Sequence, residues 1–414
     1  MRKILLTGII LATTCAASAQ TLKIHTGNTT IAVPAAEAGT MDFIAGNALS
    51  VMGHTYDLST VDSITVDNSI VAPQSVGITY STSGAHLLVS ADVYPLLTIA
   101  VDKADVSIVA APSLDKEVSY TLSGTSSDGS FTLTGNYKST LTLNNLVLTN
   151  QRAAAIDIQN GKRINVILPD GTSSTLVDGV AGIQKACFFV KGHPEFSGGG
   201  SLTLTGNTKH AFASNEYTLF KTDFGGLHVA GAKSDAMHIG QYFKMKGGKF
   251  TAANVMGDGI DVEATKNATD EHNGQAFIEG GSITFNVAAD DVKGIKCDSM
   301  MTISGGSIDL TVSGLGTKGI STGTDLLVQT GTAAAPSIKM AVTGTTYMPG
   351  DATLESKCRG IKVKGNFTFN GGNINISATG KKSKAISVDG IYTYQSGSIN
   401  CKVDASNTYG HRHS

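Results

Sequence analysis

The second half of the chain repeats itself, and that repetition limits the available folds more than any other feature. Asp258-Gly259-Ile260, Lys293-Gly294-Ile295, Lys318-Gly319-Ile320, Arg359-Gly360-Ile361 and Lys384-Ala385-Ile386 are versions of one motif. Most are followed by an alternating strand, a Gly-Gly or Ser-Gly turn and a second alternating strand, as in 301–310 and 367–376. Ile295 and Ile320 lie 25 residues apart, as do Ile361 and Ile386; the longer gaps hold polar or Ala/Gly-rich inserts at 265–274 and 330–356. A fixed period of about 20–50 residues marks a solenoid, blade or array.

Each unit holds only short period-2 strands broken by glycine, with no 3.6-residue periodicity long enough for a helix. Propeller blades need four strands per repeat, and leucine-rich or ankyrin units need leucine ladders or helices. The pattern predicts an all-β fold, one coil of a parallel β-helix per repeat. Strands of successive coils then pair about 4.8 Å apart, glycines turn the corners, and Ile, Val, Leu, Phe and Met stack inside. Composition agrees: 48 Gly, 8 Pro and no Trp among 414 residues suit all-β structure. A net charge of −2 provides no basic field for nucleic acid.

Arg2-Lys3, the apolar run 4–12 and Ala17-Ser18-Ala19 predict a secretory signal peptide over 1–19, cleaved after Ala19. A lipoprotein reading through Cys15 is set against the preceding Thr13-Thr14, a poor match to a lipid-attachment site. No later stretch is apolar and long enough to span a bilayer as a helix. Residues 20–72 lack the repeat and read as a small β element that caps the first coil or acts as a spacer. The β-helix is expected over 75–405, with a polar tail at 406–414. Rungs equivalent to Ile260 are read at Ile156, Ile183, Phe212 and Met237, which makes nine coils and a rod of roughly 40 Å. Cys187, Cys297, Cys358 and Cys401 show no CxxC spacing; interior ladder slots and a disulfide framework are both open.

Stacking in register turns equivalent positions into columns. The position two before the central apolar residue reads Asp235, Asp258, Lys293, Lys318, Arg359, Lys384. Like charges one strand apart repel unless something neutralises them. Either the cations pair with carboxylates such as Asp298 and Asp325, or they form a track for an extended polyanion, with Lys362 beside them. Asp235, Asp258, Asp261, Asp290 and Asp291 form a candidate Ca²⁺ site, since calcium takes six to eight oxygens; a solvated acidic turn is the alternative. Glycosidic hydrolysis would need two carboxyls with separated pKa values, and lyase chemistry a base such as Arg359 or Lys362. Among the histidines only His238 lies near the acidic corner. Candidates for sugar stacking are Tyr242, Phe243, Tyr347, Tyr392, Tyr394 and Tyr409.

The run Arg359-Gly360-Ile361-Lys362-Val363-Lys364-Gly365-Asn366-Phe367-Thr368-Phe369-Asn370-Gly371-Gly372, with the repeats from Lys318 to Ser387, resembles a family of exported bacterial carbohydrate-binding proteins. That family has a right-handed, pectate-lyase-like, single-stranded parallel β-helix. The resemblance covers roughly 75–405 and is clearest after Asp235. It implies Ca²⁺-assisted binding of a plant-type polysaccharide, cellulose or polygalacturonate, without established catalysis. The family's acidic Asp-Asp-Gly-Ile type corner is kept at Asp258-Gly259-Ile260 and in part at Asp235-Ala236-Met237. The Lys293, Lys318, Arg359 and Lys384 corners depart from it. The leading expectation is an exported, non-catalytic polysaccharide-binding protein. A polysaccharide lyase or hydrolase, and a structural or adhesin-like surface protein, are the alternatives.

Overall fold

The computed structural model describes residues 20–44, 47–332, 334–348, 350 and 355–404. The signal-peptide expectation over 1–19, the tail over 406–414 and Tyr409 lie outside the described residues. Three short strands make one coil, for example Lys293–Cys297, Met301–Ile303 and Ser307–Val312. Each pairs in parallel with its counterpart in the coils before and after. The first strand of every coil belongs to a 12-stranded sheet, and the other two belong to a 23-stranded sheet. Long bent strands such as Phe367–Ala378, which pairs with two separate strands of the coil before, join those two ladders into one sheet.

Side chains alternate along a strand, so alternate residues of each strand stack inward on their counterparts in the next coil. The central ladder of the 12-stranded sheet runs Val106, Phe131, Ile156, Phe188, Phe212, Met237, Ile260, Ile295, Ile320, Ile361, Ile386. From Phe131 to Ile361 every member is fully buried. Burying such a side chain contributes about 1.5–3 kcal/mol, and the ladder repeats that gain at each coil. In the middle of the rod, Phe196 packs against Phe188, Phe212, Phe220 and Phe224 at centroid distances of 6.2, 5.5, 5.3 and 5.6 Å.

One expectation is corrected by this register. Phe188, not Ile183, is the rung after Ile156, and Ile183 is fully exposed in the loop before it. Ahead of Ile156, within the span expected for the β-helix, Asp105–Ala110 and Ser130–Gly135 already pair in parallel. The Gly-Gly turns have a steric cause: Gly306 has φ +72°, and a Cβ there would stand 2.8 Å from the backbone of Gly280.

The N-terminal strands close the first coil. Thr21–Thr26 pairs antiparallel with Thr29–Pro34 and Ser63–Asp67. Thr29–Pro34 pairs in parallel with Gly84–Ser90, whose antiparallel partner Ser75–Ser81 pairs with Val118–Ser126. Ile24, Ile31, Val33, Leu49 and Val51 form a small separate core under this layer. At the other end, Tyr392–Val403 has no partner on its outer side among the described residues, and Tyr392 and Tyr394 are exposed. Cys187, Cys297, Cys358 and Cys401 are free thiols. Cys297 fills an interior slot in register with Val262 and Thr322, which is the ladder role open to it from the sequence.

Candidate functional site

Two polar columns run down the outer face of the 12-stranded sheet. Residues two before each central rung form the first: His210, Asp235, Asp258, Lys293, Lys318, Arg359, Lys384. Lys293, Lys318, Arg359 and Lys384 are direct strand partners in that order. Residues one after each rung form the second: Ala213, His238, Asp261, Lys296, Ser321, Lys362, Ser387.

At the acidic end, Asp235 Oδ1 accepts the backbone N–H of Asp258 at 2.7 Å, and Asp258 Oδ1 accepts that of Lys293 at 2.7 Å. The carboxylates therefore tie each coil to the next. Asp235 Oδ2 faces His210 Nδ1 at 3.1 Å and His238 Nδ1 at 3.4 Å. Asp261, 5 % exposed, holds Lys296 Nζ at 2.8 Å. Burial works to raise the Asp235 carboxyl, but contacts from His210 and His238 outweigh it and hold it well below the usual carboxylate range. Burial also opposes charge on His238, yet Asp235 and Asp261 push its pKa up to about 9. Asp258 lacks such partners: burial pushes it up to about 6, against the pull of Lys293.

Asp235, Asp258 and Asp261 each bring one oxygen within 4.8 Å of the others. Asp290 and Asp291 belong to no such group among the described residues. Asp290 Oδ1 accepts the Leu315 N–H at 2.8 Å. Asp291 takes a left-handed conformation, φ +53°, and its carboxylate meets Lys318 Nζ at 3.0 Å and Ser356 Oγ at 2.6 Å. The five aspartates thus divide into a group of three and a pair that serves the next coils.

The cationic end is partly neutralised. Lys318 pairs with Asp291, and Lys362 with Asp389. Lys293 Nζ donates to the Asp291 carbonyl at 3.0 Å. Asp298 pairs with Lys296 at 3.7 Å instead of with the first column, while Asp325 accepts the Asn366 N–H. Arg359 donates to the Lys357 carbonyl at 2.7 Å and leaves Nε unpartnered. Neither Arg359 nor Lys384 forms an ion pair among the described residues. Burial lowers both of their pKa values, and for Lys384 the neighbouring cations Arg359, Lys357 and Lys362 add to it. An anion along this face would relieve that repulsion.

The same sheet carries a groove that sequence reading missed. A cavity of about 390 Å³ lies beside the loop holding Gly182 and Ile183, lined also by Arg152, Asp157 and Gln184. A second of about 270 Å³ adjoins it and adds Gln159, Lys185, Phe189 and Asn215. Its sequence signal is the insert between Ile156 and Phe188. Of the aromatic candidates, Phe243 is fully buried. Tyr242 stacks face to face on Tyr217 at 4.7 Å, while Tyr347 bridges to Ser356. Tyr392 and Tyr394 are exposed on the last strand, away from both columns.

The fold is a parallel β-helix with a charged, in-register face. A family model described as carbohydrate-binding domain-containing protein matches residues 104–348, and the chain belongs to that family. A solved structure of the polysaccharide lyase-like protein from C. thermocellum is similar, at 20% identity and a TM-score of 0.48, over 64% of this chain and 94% of that one. No curated protein matches the chain.

Proposed function

We propose that this chain is an exported, non-catalytic protein that binds an acidic polysaccharide, a polyuronate such as polygalacturonate, along the outer face of its 12-stranded sheet. The observation that supports it is the uninterrupted register of Lys293, Lys318, Arg359 and Lys384, in which the last two have no carboxylate partner among the described residues. An extended polyanion running parallel to the rod would meet one cation per coil. Lys362 joins the track from the neighbouring column, and the groove beside Gln184 and Asp157 continues the same face toward the N-terminus. Membership of a carbohydrate-binding family supports a glycan over other polyanions.

The test is affinity electrophoresis on polygalacturonate and on cellulose, with Ca²⁺ and then with EGTA. Retardation on polygalacturonate that fades with salt and falls about tenfold in Arg359→Ala/Lys384→Ala is the expected result, taking about 0.7 kcal/mol per lost ionic contact. Loss on EGTA alone would move the contact to Asp235, Asp258 and Asp261, with calcium as the bridge. Unsaturated or reducing products would establish the enzymatic reading instead. No retardation on either polymer would overturn glycan binding.

A further inference from the structure

We propose that His210, Asp235, His238 and Asp261 form a binding site for a divalent transition ion of the Zn²⁺ type. The calcium expectation rested on carboxylates alone; two imidazoles change the donor set. Imidazole nitrogen suits zinc, cobalt, nickel and copper, whereas calcium takes a shell of oxygens.

The register makes the site. His210 and Asp235 are successive rungs of the first column, and His238 and Asp261 of the second, so three adjacent coils bring together His210, Asp235 and His238 as one group, with Asp261 beside His238. His210, Asp235 and His238 each place a ligand atom within 4.8 Å of the others. The shortest separations are 3.1 Å for His210 Nδ1 to Asp235 Oδ2, 3.4 Å for His238 Nδ1 to the same oxygen, and 3.3 Å for His238 Nδ1 to Asp261 Oδ2. Ligands at about 2.0–2.1 Å from a tetrahedral zinc stand about 3.3 Å apart.

The protein alone leaves this group frustrated. His210 is 3% exposed, and its Nδ1 accepts the Asp235 N–H at 3.3 Å. That nitrogen also faces Asp235 Oδ2 at 3.1 Å, and it can accept from the N–H or donate to the carboxylate but not do both. A metal ion at that place would be held by the nitrogen and the carboxylate oxygen together. Among the described residues, Nε2 of His210 has no partner and the buried Nδ1 of His238 makes an aligned hydrogen bond to neither carboxylate. Each carboxylate also has its other oxygen already held: Asp235 Oδ1 by the Asp258 N–H and Asp261 Oδ1 by Lys296. The free oxygens point into the cluster, as supporting contacts around metal sites arrange them. The imidazoles stack with centroids 4.4 Å apart, so His238, the more exposed ring, would have to tilt off the stack for both nitrogens to take one ion.

The site is tested on the full chain in a His411→Ala/His413→Ala background, which removes the C-terminal histidines as competitors. After chelator dialysis, Zn²⁺ is titrated by calorimetry and Co²⁺ by visible spectroscopy, with Ca²⁺ as comparator. One Zn²⁺ per chain, a four-coordinate Co²⁺ spectrum, and zinc retained against a 100-fold excess of Ca²⁺ are expected. His238→Gln, at a partly exposed position that leaves the core intact, weakens Zn²⁺ at least about tenfold; His210→Gln does the same if it folds. Absence of Zn²⁺ and Co²⁺ uptake by the folded protein would mean that a proton on His238 closes the group, and the proposal fails. It fails equally if His238→Gln binds as tightly as the parent, or if Ca²⁺ displaces Zn²⁺. Glycan retention through Arg359 and Lys384 is untouched by any of these failures.

Discussion

Asp258 Oδ1 accepts the backbone N–H of Lys293 at 2.7 Å, so a side chain of one coil satisfies the main chain of the next. Asp235 does the same for Asp258, and at another corner Asp325 serves Asn366, whose own Oδ1 accepts the Ile391 N–H. Corner backbone groups would otherwise lie partly buried without a partner, at a cost of about 1–3 kcal/mol each.

Asp258 performs this task at an electrostatic cost, because burial raises its pKa from 3.8 to about 6. The stability it contributes is present below its unfolded value and lost as pH rises through the folded one. Asn keeps an oxygen for the Lys293 N–H and carries no charge. Asp258→Asn, measured in EDTA, should therefore melt higher than the parent at pH 7.5, by at most about 3 kcal/mol. The difference should vanish by about pH 3, below the unfolded value. An equal or lower melting temperature at pH 7.5 would show that the ionised carboxylate is stabilised more than burial penalises it.

Phe196 touches four other phenylalanines inside the rod and is fully buried. Phe196→Ala should cost about 3–5 kcal/mol in chemical denaturation. Because each coil packs only on its neighbours, hydrogen exchange should quicken first around 186–224. Uniform quickening along the chain would count against this local account.

Gly124 sits where the strand Val118–Ser126 shifts register against Ser139–Thr149. It has φ +87°, and a Cβ would stand 2.1 Å from the Tyr80 carbonyl oxygen. Gly124→Ala should destabilise by more than about 1 kcal/mol and detach the hairpin 75–90 from the first coil. Early proteolysis within 20–90 would report that detachment.

Thiol chemistry should sort the cysteines by burial. Cys187, Cys297 and Cys358 are buried, and burial pushes the Cys297 thiol up to about 12. Since the thiolate is the reactive form, iodoacetamide at pH 8 should label Cys401 on the half-buried last strand first. The other three should wait for denaturant. Prompt labelling of Cys297 in the folded protein would contradict its ladder position.

The fold was legible because Ile260, Ile295, Ile320, Ile361 and Ile386 keep one register, and alternation tells which neighbours face inward. Ile183 broke that reading because Gly182-Ile183 imitates the Gly-Ile motif while sitting in a loop; the bulky apolar Phe188 five residues later is what the core needs. The cation column was legible for the same periodic reason. His210 stands two before Phe212, as Asp235 stands before Met237, so the same register places it in the first column. The partners of Asp290 and Asp291 were not readable, because a left-handed turn at Asp291 decides them and no spacing rule announces it. The contact between Asp235 and His210 depends on how two side chains turn toward each other across coils, which register alone leaves open.

The in-register face works as a ruler with one mark per coil. Exchanging an outward residue rewrites one mark and leaves the buried ladder as it was, so chemistry can change along the rod without a new fold. Marks two coils apart stand about 10 Å from each other, near the screening length of 0.1 M salt, so their contributions to a long ligand come close to simple addition. A chain that gained or lost one whole coil would then bind a polymer longer or shorter by one mark. Selection could set ligand length by duplication and ligand charge by point substitution, each without disturbing the other.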